Sequence, residues 1–547
     1  MPSKSGAPSK GEMRTLVILL AATGTEEYDQ AYDVFDDLFA QVSPDSVIVG
    51  QMKPESGPPS KPEVPDGLLR LKDKHGVSSM RGCFIKSNSV DDGSSNDWED
   101  YMPVVLRSLE LKKTDTINLN FHVSSGGFTV SSALYSICQI IGCSAWVTVK
   151  NNADDSWSAI EVSEIPLSPA QESTFASCAE KSIESGEPQP FTSSEIQSID
   201  GAPKAKGVYL SMQEMISRGL IQIPEVEGVD EEGEMKMFKE KSHHGEGRYI
   251  PSKEALFEGI ISLSKKKSQP LPRAPQTGII ITARASDSKE KFRSFLQEHG
   301  FHHQYTKVAL IVVDFGKEHD LGARSEDFAE EIRDLKGTEL VGGVRSCNGI
   351  IPSSEDPSLS GCSFRLMSQF HKIIRSEEGV MIDWSILSSG VPAVLRTHFL
   401  RYSHASGITV IDPIRGSSEA SGTRGSEITY SGQDFTAHRV AAPSGSDLEM
   451  IREIWSCTNK HVKEALATCL LADEPIPYNR LRERNREFFN QGKWQFDDSR
   501  MKDPKVNQKA RERLQKLGAI SESNDPLELT SVGVAAANMI WIREEEW

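Results

Sequence analysis

The chain has 547 residues, a hydrophobic fraction of 37% and a formal net charge of −18. That length exceeds what a single core fills, so three or four domains are expected, and the hydrophobic fraction excludes a disordered chain. The longest apolar run, about Leu16 to Ala22, is far short of the roughly 20 residues of a membrane span. The acidic balance argues against nucleic-acid binding by the whole surface but leaves room for local basic modules.

The polar stretch Met1 to Glu12 lacks the apolar core of a signal peptide and reads as a flexible tail. The eight cysteines are scattered, with neither a CxxC pair nor a Cys/His cluster. They read as reduced thiols of a cytoplasmic protein, not as a disulfide framework or a metal site. No cofactor motif stands out.

In chain order, Arg14 to Ala22 reads as a buried strand and Thr23-Gly24-Thr25 as a turn. Tyr28, Ala31, Phe35, Leu38 and Val42 then recur at helical spacing. Strands are expected at Ser46 to Gly50 and Val77 to Lys86, with helices over Leu68 to His75 and Asp97 to Leu111. The apolar Ile117 to Val123 runs into Ser124-Ser125-Gly126-Gly127, which opens a helix over Phe128 to Ile141. Strands at Ser144 to Lys150 and Trp157 to Ile165 close this region. Alternating strands and helices of these lengths predict an open, mainly parallel sheet covered on both faces.

The order returns from Thr277 onward. Strands at Thr277 to Ala283, Lys307 to Asp314 and Leu340 to Arg345 alternate with helices over Ser288 to His299, Arg324 to Leu335 and Phe364 to Arg375. Val380 to Leu387 then runs into Ser388-Ser389-Gly390, at an offset of 264 from the first turn. Trp157 to Pro166 and Phe435 to Pro443 end the two regions alike. Such self-similarity predicts an internal duplication. Small, Gly-containing turns let a ligand approach the backbone, and free N–H groups at a helix start suit an anion.

Each α/β region is followed by a helical segment. In the first, Gln171 to Ser185 reads as a helix and Thr192 and Glu195 stand at capping-box spacing. A helix over Pro203 to Arg218 ends in Gly219-Leu220-Ile221. A charged stretch, Gly247 to Ser252 and a closing helix over Lys253 to Ser264 complete it. The second has helices over Leu448 to Ala472, Pro477 to Phe489 and Lys505 to Lys516, the last ending in Leu517-Gly518-Ala519-Ile520. Leu527-Glu528-Leu529-Thr530 and a helix from Val532 follow. This is the element order of a winged helix-turn-helix.

Taken as an ordered set, these motifs resemble the CARF family: Rossmann-like sensors of cyclic oligoadenylates in type III CRISPR defence, often fused to winged helices. The resemblance implies an α/β plus winged-helix fold. Its parts are a tail at 1–13, a CARF-like lobe at 14–167, a winged helix at 168–270, a second lobe at 276–443 and a second winged helix at 445–547. Two such units in one chain would make a built-in pseudo-dimer, acting as a monomer or assembling into a higher homo-oligomer. The resemblance places the ligand at Thr23, Gly24, Thr25, Ser124, Ser125, Gly126 and Gly127 of the first lobe. In the second it points to Arg284, Ser286, Ser388, Ser389 and Gly390. Hydroxyls, backbone N–H groups and one arginine suit phosphodiester oxygens. Val391 stands where the first turn has Gly127, so the two half-sites differ.

Double-stranded DNA is the second partner expected. Between 475 and 520 twelve basic residues face six acidic ones, a local excess inside an acidic chain that suits phosphates. The residues singled out there are Arg480, Arg482, Lys505, Gln508, Lys509, Arg511 and Arg513, the last five on the expected recognition helix. The first winged helix offers Lys204, Lys206, Tyr209, Lys241 and Arg248. The function read from all this is a ligand-responsive transcriptional regulator. Alternatives are a ring nuclease, for which His122 is the nearest titratable group, a regulator sensing another nucleotide or phosphorylated ligand, and an interaction protein whose winged helices dock on protein. At the 264 offset His122 is matched by Ile386, which cannot move a proton.

Overall fold

The computed structural model describes residues 13–537 with breaks. Outside the described residues lie 1–12, 21–30, 53–63, 86–117 apart from Val105 and Leu109, 124–127, 151–155, 163, 198–211, 230–234, 240–247, 266–277, 299–304, 316–318, 336, 354–356, 377–383, 388–390, 407, 414–436, 441–444, 457–459, 473–474, 478–479, 482, 485–486, 488–503, 522–525, 531 and 538–547.

The first α/β region contains β1 (Arg14–Leu20), α1 (Ala31–Val42), β2 (Ser46–Met52), α2 (Asp66–His75), β3 (Ser79–Ile85), β4 (Asn118–His122), α3 (Phe128–Ile141), β5 (Ser144–Lys150) and β6 (Trp157–Val162). Its strands lie in the order β3-β2-β1-β4-β5-β6. The first five are mutually parallel, and β6 is antiparallel to β5. β1 is a near-continuous aliphatic run because both sheet faces are covered, and it is buried along all but its first residue.

After β6 come α4 (Pro169–Ser182), β7 (Phe191–Thr192), α5 (Ser193–Gln197), a helical stretch over 212–217, β8 (Ile221–Gln222), β9 (Glu225–Val229), β10 (Met235–Lys239), β11 (Arg248–Pro251) and α6 (Lys253–Lys265). The capping box is formed. The Thr192 N–H donates to the Glu195 carboxylate at 2.7 Å, and the Glu195 N–H donates to Thr192 Oγ1 at 3.2 Å. β7, β11 and β8 make a three-stranded antiparallel sheet in that order. The charged stretch between β8 and β11 carries a hairpin of β9 and β10, an element the polar sequence gave little hint of.

The second α/β region contains β12 (Gly278–Arg284), α7 (Lys289–Glu298), β13 (Lys307–Asp314), α8 (Leu321–Arg333), β14 (Glu339–Asn348), α9 (Leu359–Ser376), β15 (Trp384–Leu387), a 3-10 turn (Ala393–Leu395), α10 (Arg396–Ser406), β16 (Thr409–Pro413) and β17 (Ala437–Val440). Its order, β14-β13-β12-β15-β16-β17, and its single antiparallel pair repeat the first sheet strand for strand. Both sheets thus have the mixed α/β, parallel-dominated arrangement of a Rossmann-like fold.

The C-terminal segment has α11 (Gly445–Trp455), α12 (Lys460–Leu471) and α13 (Pro504–Lys516). One helix was expected over 448–472; two are described there. Antiparallel bridges join Ile476 to Leu527 and Ile520 to Leu529.

The cores show how these parts fit. Alternate residues of β1 divide between faces: Leu16, Ile18 and Leu20 pack under α1 and α2, whereas Val17 and Leu19 face the other way. In β12, Ile279, Ile281 and Ala283 pack under α7 and α8, and Ile280 faces the other way. The two outer cores are separate. The inner faces belong to one continuous core, which also takes in α3, α4, α6, α9 and α10.

Candidate functional site

In an open parallel sheet, ligands bind beyond the carboxyl ends of the strands where the winding direction reverses. Here that switch falls between β1 and β4 in the first sheet and between β12 and β15 in the second. The loops leaving these strands are the turns singled out from sequence. Thr23, Gly24, Thr25, Ser124, Ser125, Gly126, Gly127, Ser388, Ser389 and Gly390 lie outside the described residues. What is described is the frame around them.

Arg284 ends β12 and is exposed, with its guanidinium 5.4 Å from the centre of the Phe315 ring. Ser286, two residues on, is also exposed. Asp314, at the end of the adjacent strand β13, is buried. Its carboxylate accepts from the His319 N–H at 3.0 Å and lies 3.2 Å from His319 Nδ1. Sequence reading passed over Asp314 and Phe315. The signal was an acidic residue closing an apolar strand, the position that in Rossmann folds receives ribose hydroxyls.

His122 is a structural residue. It is buried, its Nε2 lies 3.0 Å from Thr148 Oγ1, and its ring meets Phe35 edge-on at 5.0 Å. Burial pushes its pKa down to about 3, so it stays neutral at physiological pH. Its counterpart also changes. Val17 and Ile280 both face the inner core, and the strand register pairs Val17 with Phe121 and Ile280 with Ile386. Ile386 therefore matches Phe121, and Leu387 matches His122. The 264 offset was one residue short at this strand, and a one-residue shift moves a side chain to the opposite face.

Of the residues singled out for DNA, Lys204, Lys206, Tyr209, Lys241 and Arg482 lie outside the described residues, as does the side chain of Lys505 on α13. Arg248 on β11 and Arg480 are exposed. On α13, Ala510 and Leu514 are buried, while Lys509, Arg513 and Lys516 are exposed. Their spacing of i, i+4, i+7 aligns three cations on one face. Gln508 is tied to Glu512 at 2.9 Å, and Arg511 is half-buried. Among the described residues no group of three or more His, Cys, Asp or Glu side chains is placed to hold a metal. No described helix is long and apolar enough to cross a membrane.

No family model and no curated protein matches the chain. Among solved structures it is similar to Enterococcus italicus Csm6 bound to cyclic hexa-2'-fluoro-hexa-dAMP, at 10% identity and a TM-score of 0.21, over 38% of this chain and 55% of that one. It is also similar to a type III CRISPR defence DNA nuclease activated by cyclic oligoadenylate, at 9% identity and a TM-score of 0.30, over 73% and 65%. The chain thus spans less than two thirds of the length of either. The Rossmann-like character rests on the strand order described above.

Proposed function

We propose that the chain is a ligand-responsive DNA-binding regulator that senses a cyclic oligoadenylate between two CARF-like lobes. Each lobe would be followed by a winged helix, at 168–270 and 445–547. The observation that supports this most is the likeness of the two segments after the sheets. In the first, Gly219 has φ of +71° at the end of a helix, the Leu220 N–H donates to Met215 O, and Ile221 then joins the three-stranded sheet. In the second, Gly518 has φ of +64°, the Ala519 N–H donates to Leu514 O, and Ile520 bridges Leu529. The closing helices start alike too. Ser252 Oγ accepts from the Ala255 N–H at 3.1 Å, and Thr530 Oγ1 from the Gly533 N–H at 3.2 Å. In the first, β7 and β8 both pair with β11, and in the second, Ile476 and Ile520 bridge Leu527 and Leu529 in the same order, which supports reading both as winged helices. The ligand class follows from the resemblance of the ordered motifs and from turns that leave the sheets at their switch points.

Calorimetry against a panel of cyclic oligoadenylates tests the sensor. One ring bound per chain is expected, and no binding to any ring would overturn that part. Electrophoretic mobility shift with and without the ring tests the regulator. Absence of salt-dependent DNA binding would leave the winged helices as protein-docking units.

A further inference from the structure

A cavity of about 250 Å³ lies where three parts of the chain meet: the end of β6 in the first α/β region, α6 of the middle segment, and the start of α9 with α10 in the second region. Its mouth and floor differ. Glu161, Glu254 and Pro357 at the mouth are exposed. Phe257, Glu258, His398 and Arg401 at the floor are buried. The walls between are aliphatic, from Ile160, Val162, Ile165 and Leu359. Sites for drug-sized ligands run to roughly 300–1,000 Å³, so this one takes a smaller molecule.

Hydrogen bonding at the floor is complete but for one donor. The Arg401 guanidinium makes a bidentate ion pair with Glu258, at 2.8 and 2.6 Å. His398 is 4% exposed, its ring stacks on Phe257 at 4.2 Å, and its Nδ1 lies 2.7 Å from Ser363 Oγ. Ser363 is fully buried and has no other hydrogen-bond partner among the described residues, so its hydroxyl donates to Nδ1. Nδ1 then accepts, and Nε2 carries the ring proton. Burial and the charge of Arg401 hold the ring neutral, with its pKa down at about 3. The Nε2–H has no acceptor among the described residues. With Nδ1 turned to α9 and one face against Phe257, Nε2–H is the polar edge that His398 presents to the cavity. A buried donor without a partner is costly, and an occupant of the cavity would remove that cost.

Helix α9 adds donors beside it. Ser358 Oγ accepts from the Gly361 N–H at 3.0 Å and donates to Glu254 at 3.2 Å. The N–H groups of Leu359 and Ser360, in the first turn of this 18-residue helix, have no acceptor within it. Both residues stand one turn before Ser363, on the face that meets His398. One side of the cavity therefore offers N–H donors and the positive end of a helix. The other offers the carboxylates of Glu254 and Glu161.

We propose that this cavity binds a free α-amino acid with an aliphatic side chain. Its carboxylate accepts from His398 Nε2–H and the first turn of α9. Its ammonium donates to Glu254 and Glu161, and its side chain lies against Ile160, Val162 and Ile165. A nucleobase fits less well, because the Phe257 ring is already engaged by His398 and by Arg401, whose guanidinium lies 5.2 Å from the ring centre. A phosphate ester would meet two exposed carboxylates at the mouth. The site is distinct from the turns of the sensing role and does not rest on that role.

The test is calorimetry of the full chain against leucine, glycine, N-acetyl-leucine and leucinamide. One leucine per chain is expected, with a Kd below about 1 mM. The other three lack the side chain, the ammonium and the carboxylate in turn, and each should bind at least about tenfold more weakly. Glu254→Gln, at the exposed mouth, and His398→Phe, which keeps a ring against Phe257, should each weaken leucine binding by about tenfold or more. No leucine binding, or binding that either variant leaves unchanged, overturns the proposal. Glycine binding as tightly as leucine overturns the aliphatic specificity. Leucinamide binding as tightly as leucine overturns the free amino acid in favour of a peptide N-terminus. If His398→Phe does not fold, Glu161→Gln takes its place beside Glu254→Gln.

Discussion

Buried ionisable side chains dominate the residue scale. Burial alone would push Arg401 towards its neutral form, but Tyr135 and the carboxylates of Glu258 and Glu164 outweigh it and hold the guanidinium firmly charged. Arg401→Met therefore strands Glu258 without a partner and should cost about 3–5 kcal/mol. R401M/E258L should recover most of that, because an apolar pair of similar volume needs no desolvation. Urea midpoints of the three chains check this, and equal losses in single and double variants would refute it. Three of the four buried histidines among the described residues weaken the fold in acid. Burial holds His122 at about 3, and burial with the charge of Arg401 holds His398 and His404 at about 3. In the unfolded chain each ring takes a proton below its ordinary 6.5, whereas the folded chain refuses it until about 3. Stability is thus full above pH 6.5 and falls as pH drops through that window, by about 1.4 kcal/mol per pH unit for each ring. His122→Asn should flatten the slope by one proton, measured as denaturation midpoint against pH.

At the element scale, α13 carries the DNA prediction. Lys509, Arg513 and Lys516 share its exposed face, and each phosphate contact releases condensed counterions. Changing any one of them to Ala should weaken DNA binding across all sequences and lower the slope of log affinity against log salt by about 1. A change confined to one operator position would instead mean base reading. The glycines that end the helices are a second case. Gly518 takes a left-handed φ of +64°, and a Cβ there would stand 3.0 Å from Met450 Sδ. Gly219 has nothing within 4 Å of its Cβ position. Gly219→Ala should therefore cost about 1 kcal/mol, from backbone strain alone, and Gly518→Ala more; thermal midpoints of the two variants rank them. Much at this scale was legible in the sequence. Phe128–Ile141, Ser144–Lys150 and Lys307–Asp314 have the bounds their periodicity predicts, because long apolar runs flanked by turn residues leave few choices. The β9–β10 hairpin was not legible, since its stretch is charged and short. Nor was the true partner of His122, because identical Ser-Ser-Gly letters align one residue away from where the strands do.

At the scale of the whole molecule, the continuous inner core changes what the repeated architecture implies. Two regions joined by linkers would unfold separately. Here α6, between the two α/β regions in sequence, is buried from Ala255 to Ser264 and packs on α4, α9 and α10. At Gly259 any Cβ would run into the backbone carbonyl of Phe175 on α4, so α4 and α6 cross at backbone contact. Across the same junction, Glu180, Glu184 and Glu187 meet Arg375, Lys372 and Arg365 along α9. These surface pairs are worth little energy each, but they fix which face meets which. On the other side Arg452 of α11 donates to Gln139 O of α3 at 2.8 Å, which seats the C-terminal segment on the first region while the middle segment sits on the second. None of this crosswise seating is visible in a linear pattern, because it depends on pairs up to 313 residues apart. It predicts that both α/β regions and the middle segment lose structure together. Calorimetry should then give one main transition in which van't Hoff and calorimetric enthalpies agree. Gly259→Val, which forces α4 from α6, should split that transition in two. Two transitions in the unaltered chain would mean that the inner core is two cores in contact, and that α6 belongs to only one of them.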